Sequence, residues 1–182
     1  MGHDLHLPAA GRATAAALVL HPHPARGGNR HHPLVVAVAE GLAGGGVAAL
    51  RLDLPDPDVA VSASALVDAT EGLLAEVGTA RLLLVGYSWG SAVASLAAPT
   101  GLVARVLVAP PVHSFAFADP TPVPALALVP VHDQYGGPDA VRAAMGAWAS
   151  TTVEVVEGCD HFLAGAVSRI ADRAVAWLGE RT

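Results

Sequence analysis

Six apolar runs recur along this chain, each followed by a stretch carrying helix signals, and that alternation limits the fold more than any other feature. The runs are 13–20 (ATAAALVL), 47–52 (VAALRL), 81–86 (RLLLVG), 103–108 (VARVLV), 124–131 (PALALVPV) and 152–156 (TVEVV). They are apolar on both faces, as parallel strands covered by helices on both sides have to be. Helices fit between them: 33–43 opening on Pro33 and closing at Gly44, 63–77 capped by Ser62 and stopped by Gly78, 89–98 ended by Pro99, 138–149 opening on Pro138, and 164–178. No linker, repeat or low-complexity tract interrupts the series. The expectation is a single α/β domain over 1–182, a doubly wound, mostly parallel sheet of about six strands with helices on both faces.

Such sheets bind ligands beyond the carboxyl ends of their strands, so the loops that matter are 21–32, 53–61, 87–88, 110–123, 132–137 and 157–163. Charge narrows the class of ligand. The ten basic residues are all Arg, scattered singly from Arg12 to Arg181 against sixteen acidic ones, net −6. That argues against a nucleic-acid groove or a polybasic membrane patch. Residues 82–104 carry no charge and are long enough to span a bilayer. Gly86, Ser88, Gly90, Ser91, Ser95 and Pro99 interrupt them, so a buried strand, a turn and a short helix account for them better. The single cysteine, Cys159, cannot form an internal disulfide. Residues 1–12 lack the basic and apolar halves of a signal peptide, and the expected location is cytoplasmic.

Among the loops, 87–88 holds Ser88 inside VGYSWGS (85–91), with glycines spaced Gly-x-Ser-x-Gly between an expected strand and an expected helix. There the chain must turn sharply with the serine backbone strained, and flanking glycines remove side chains that would obstruct the turn. The competing reading is a glycine-rich turn with a buried, hydrogen-bonded serine. A serine hydroxyl needs a base to become nucleophilic. His161, in GCDHFLAG after the last strand, is best placed; His113 and His132 are rivals on the same sheet edge. The acid behind the base is expected from HDQYGGP as Asp133. Asp160 adjoins His161 in sequence, and neighbours in an extended loop direct their side chains apart, so a loop-bracing role suits it better. The order Ser88, Asp133, His161 is the chain order of α/β-hydrolases.

From about residue 14 to 178 the chain resembles small, cap-less α/β-hydrolases of the dienelactone-hydrolase-like set. The resemblance is carried by LVLHPHPARGG (18–28), GYSWGS at the turn, VPALALVPVHDQYGGP (123–138) and GCDHF (158–162). It implies the α/β-hydrolase fold without a cap domain, with Ser88 as nucleophile, Asp133 as acid and His161 as base. There are departures. LDLPDPD (52–58) stands where members with an HPHP opening usually carry an Arg-Gly-x-Gly-x-Ser type loop, and Pro130 and His132 replace residues usually Gly and small or apolar. Dienelactone hydrolases themselves use cysteine where this chain has Ser88, so their substrate does not carry over.

An oxyanion hole of backbone N–H groups is the remaining requirement. Trp89, following the nucleophile, should give one donor. In the turn 21–28, Pro22 and Pro24 have no N–H, leaving His23 as the second donor and Ala25 in reserve. His21, His23, His31 and His32 also invite a metal reading, but no Cys or carboxylate joins them at ligand-like spacing, the next acidic residue being Glu40. Phe115 and Phe117 are candidates for an acyl pocket, Trp148 and Trp177 for core positions on helices. Cys159, away from any strand-to-helix turn, is not a nucleophile candidate. The expected function is a cofactor-independent, metal-independent serine hydrolase, carboxylesterase-like, acting on small or medium acyl esters at an open site. The alternative is a non-catalytic member serving as a binding module; such a member would usually have lost one of the three residues.

Overall fold

A computed structural model describes residues 2–9 and 11–182. Its strands are β1 (His3–His6), β2 (Ala15–Leu20), β3 (Val47–Leu52), β4 (Leu82–Tyr87), β5 (Leu102–Val108), β6 (Ala125–His132) and β7 (Thr151–Asp160). The helices are α1 (Pro33–Gly44), α2 (Val59–Val77), α3 (Trp89–Leu96), α4 (Pro138–Met145) and α5 (Val167–Gly179), with a 3₁₀ turn at Pro24–Arg26. The sheet order is β1-β3-β2-β4-β5-β6-β7, parallel throughout except for β1 against β3.

Residues alternate between the two sheet faces, and both faces are apolar because both are covered. Along β2, Ala15, Ala17 and Val19 join a core with α1 and α5, whereas Ala16, Leu18 and Leu20 join one with α2, α3 and α4. Leu18 and Leu20 are fully buried; each such leucine contributes about 1.5–3 kcal/mol. Segment 82–104 is β4, the turn at Ser88, α3, a short loop and β5. Among the described residues, no helix is long and apolar enough to cross a membrane.

Among the described residues the sheet has seven strands rather than about six. β1 (HDLH) escapes a hydrophobicity reading because it is a polar edge strand, held to β3 by its ladder and by Asp4, which pairs with Arg30 at 2.9 Å and Arg51 at 3.5 Å. Helix α2 begins at Val59, four residues before the expected 63. Asp58 is the cap, accepting from the Ala60 and Val61 N–H groups at 2.8 and 3.0 Å, and Ser62 is instead buried and donates to the Asp56 carbonyl at 2.6 Å. Helices α3 and α4 end at Leu96 and Met145, short of 98 and 149, and α5 starts at Val167 rather than 164. Trp148 therefore lies beyond α4, half-buried with the Arg105 guanidinium 5.7 Å from its ring centre; Trp177 is in α5 and buried.

Strand β7 runs to Asp160, four residues past the expected end. The β6–β7 register shifts between Pro130 and His132, where Pro130 offers no N–H to the ladder, and resumes with His132 opposite Asp160. Asp133 and His161, the next residue on each strand, therefore leave the sheet side by side.

Candidate active site

Strand order reverses between β2 and β4, and the loops after these strands meet there. After β4, Ser88 adopts φ 54°, ψ −122°, a region L-residues occupy only where the surroundings enforce it. A Cβ on Gly86 would overlap the Gly90 carbonyl, and one on Gly90 would come 2.5 Å from the His21 carbonyl oxygen. Both glycines are thus required by close backbone approach. The result is a turn that lifts Ser88 out of the sheet at the start of α3.

Ser88 Oγ lies 2.8 Å from His161 Nε2, and His161 Nδ1 lies 2.8 and 3.0 Å from the two Asp133 carboxylate oxygens. An ionised carboxylate only accepts, so the imidazole proton sits on Nδ1 and the Nε2 lone pair faces the serine hydroxyl. Asp133 is fixed in turn by the Tyr135 N–H at 2.8 Å, and both Asp133 and His161 are buried. A hydroxyl backed by a neutral imidazole that a carboxylate orients is an arrangement able to attack a carbonyl carbon.

The rivals fall elsewhere. His113 and His132 are exposed and outside the cleft. Asp160 accepts the Phe162 N–H at 3.0 Å and so braces the loop. Cys159 is buried with its thiol 3.6 Å from the Val156 carbonyl, and burial pushes its pKa up.

Trp89 opens α3, so its N–H has no partner within the helix. Its fully buried ring donates Nε1–H to the Pro57 carbonyl at 3.0 Å, tying α3 to the LDLPDPD loop. The Ala25 N–H is taken up by His23 Nδ1 at 3.2 Å, while no bond is made by the His23 N–H among the described residues. His21 spans Leu54 and Pro22, and His32 Nδ1 caps α1 through the Leu34 N–H at 3.3 Å. Burial lowers the proton affinity of His21, His23 and His32, with Arg26 acting in the same direction on His23. Among the described residues, no three His, Cys, Asp or Glu side chains are grouped to hold a metal ion.

Ser88, Trp89, His23 and His161 line a cleft of about 720 Å³. Phe115 lines it as expected; Phe117 does not, packing instead against the core on the α2–α4 side. Tyr87, Tyr135, Phe162, His32 and Arg26 also line the cleft. Sequence reasoning passed over all of these but His32, which it had considered only as a metal ligand. Three of them stand within two residues of Ser88, Asp133 or His161, and that adjacency was the available signal.

No family model matches the chain, and no curated protein matches it. Solved structures do. An alpha-beta serine hydrolase homologue from Coxiella burnetii is 20% identical with a TM-score of 0.85, covering 97% of this chain and 90% of its own. A serine hydrolase without lid from Xanthomonas campestris is 22% identical with a TM-score of 0.84, over 98% and 87%. Est1E from Butyrivibrio proteoclasticus, with ferulic acid bound, is 15% identical with a TM-score of 0.85, over 99% and 94%.

Proposed function

The chain has the α/β-hydrolase fold without a cap, and we propose that it is a serine hydrolase that cleaves small or medium acyl esters through an acyl-enzyme on Ser88. The observation that carries this reading is the unbroken path from Ser88 Oγ through the His161 ring to Asp133, at 2.8 Å on each side. His161 takes the hydroxyl proton as Ser88 attacks the ester carbonyl, then gives it to the leaving alcohol. Asp133 keeps the proton on Nδ1 and stabilises the imidazolium. The Trp89 and His23 N–H groups receive the charge developing on the carbonyl oxygen. Water, activated by His161, releases the acid. No cofactor or metal enters the scheme. The half-apolar walls contributed by Phe115, Tyr135 and Phe162 suit an acyl chain or ring of modest size. Est1E, which shares the fold, is seen with ferulic acid bound, an aromatic acid of a size that suits the acyl part of such an ester. The lone cysteine is compatible with a reducing compartment, and a cytoplasmic location belongs to the same proposal.

The test is hydrolysis of 4-nitrophenyl esters of increasing chain length, with and without a chelator. Ser88→Ala, His161→Ala and the double variant should each lose kcat by a similar factor, on the order of 10³ or more, because members of one catalytic unit fail together. Additive losses, or activity abolished by the chelator and restored by zinc, would refute the scheme.

A further inference from the structure

Tyr87 immediately precedes Ser88 in the chain, yet its side chain reaches the opposite partner of the site. Its hydroxyl donates to the main-chain carbonyl of His161 at 2.9 Å, in a buried bond. Strands β5 and β6 lie between β4, which carries Tyr87, and β7, which His161 directly follows. The bond therefore joins two segments that sheet order sets two strands apart.

The other bonds around His161 are local to its turn or made by its ring: the Leu163 N–H donates to the Asp160 carbonyl at 3.1 Å, the Phe162 N–H to the Asp160 carboxylate at 3.0 Å, and the ring meets Asp133 and Ser88. The β6–β7 ladder ends at the pair His132 and Asp160, and β7 is the last strand of the sheet. The chain then enters a turn with Leu163 at φ 60°. The Asp133 carboxylate fixes which way the imidazole faces, from the loop that follows β6. Tyr87 holds the main chain of His161 itself, from the end of β4. It is buried at the end of a central strand, its ring 4.9 Å from that of His32 and 6.1 Å from that of His161. Burial pushes the phenol pKa well up, so the group is a donor at every working pH.

We infer that Tyr87 is a positioning residue for the base, its hydroxyl holding the His161 backbone so that Nε2 stays within bonding distance of Ser88 Oγ. The inference rests on the serine-hydrolase reading above. Attack requires the reacting groups to be held to within a fraction of an ångström, and a displacement of about 1 Å costs on the order of 10²-fold. Partial loss of alignment should therefore appear in kcat, with substrate binding unchanged.

Tyr87→Phe keeps the ring and removes the donor. Steady-state constants on 4-nitrophenyl butyrate and the rate of Ser88 labelling by a fluorophosphonate are to be measured with it, alongside the melting temperature. The expected result is a kcat lower by about tenfold, KM within about twofold, and labelling slowed by the kcat factor. In a His161→Ala background, where no base remains to be held, Tyr87→Phe should cost nothing further. Tyr87→4-aminophenylalanine, whose amine still donates, should recover most of kcat and guards against a Phe variant that folds poorly. Unchanged kcat with a lower melting temperature, a raised KM at constant kcat, or no recovery by the amine overturns the inference. If the wild type neither turns over nor labels, the hydrolase reading fails and takes this inference with it; if the wild type does both and Tyr87→Phe matches it, the inference alone is wrong.

Discussion

Leu54 donates its backbone N–H to Nε2 of His21 at 2.9 Å, and the other ring nitrogen, Nδ1, lies 2.6 Å from the Pro22 carbonyl oxygen. The carbonyl can only accept, so Nδ1 carries the proton, and Nε2 has to keep a lone pair for Leu54. The Leu54 bond exists only while the ring is neutral, whereas the Pro22 bond survives protonation. His21 thus joins Arg30, which bonds Asp53, in tying the loop after β2 to the LDLPDPD loop after β3, and the first histidine of HPHP has a structural duty.

That duty makes stability depend on pH. Burial lowers the His21 pKa, overriding the Pro22 bond and the Asp53 charge, and His32 shifts in the same direction. Between the lowered folded value and the unfolded value of ~6.5 the unfolded chain binds more protons, so this stability is complete above about pH 6.5 and is lost as pH falls through the folded value. The melting temperature should drop from pH 7.5 to 5.5, and His21→Asn, less stable at pH 7.5, should show a smaller drop. Equal slopes for the two proteins would exclude His21 as the cause.

Turnover should discriminate the two ways of altering His23. His23→Ala loses the ring that accepts the Ala25 N–H but keeps the main-chain donor, so the loss in kcat should be limited. His23→Pro deletes the donor and should cost on the order of 10²-fold or more. Equal damage from the two would mean that the imidazole itself takes part.

Backbone strain at Ser88 gives a test that needs no substrate. At φ 54°, ψ −122° alanine remains strained and glycine does not, and relief of such strain is worth about 1–3 kcal/mol, less roughly 0.5–1 kcal/mol for the freedom glycine gains when unfolded. Ser88→Gly should therefore melt above Ser88→Ala, by an amount equivalent to about 1 kcal/mol, while both are inactive. Identical melting in the two variants would contradict a strained turn.

Much of this architecture was legible in the sequence because fully covered parallel strands leave uniform apolar runs, and six of the seven strands did so. β1 was not legible, since its pairing rests on Asp4 and on the β3 ladder rather than on burial. The early start of α2 was hidden because Asp58 and Ser62 are both good caps, and only the surrounding packing decides that Ser62 goes inside. Ser88, Asp133 and His161 could be named because strand order and turn residues assign each to one sheet edge. The register that sets Asp133 beside His161 depends on the irregularity at Pro130, visible in the sequence only as a departure from the resembled family. Phe117 shows the limit: two aromatics two residues apart in a loop look equivalent until the loop is folded, and only Phe115 faces the cleft.

Reaction of the wild-type protein with a fluorophosphonate, followed by peptide mapping, tests the central claim most directly, since only a serine activated by its own base is phosphonylated quickly. The expected result is one adduct per chain, on Ser88, insensitive to chelator and lost in His161→Ala. An unreactive wild type, or an adduct on any other residue at the same rate, would contradict it.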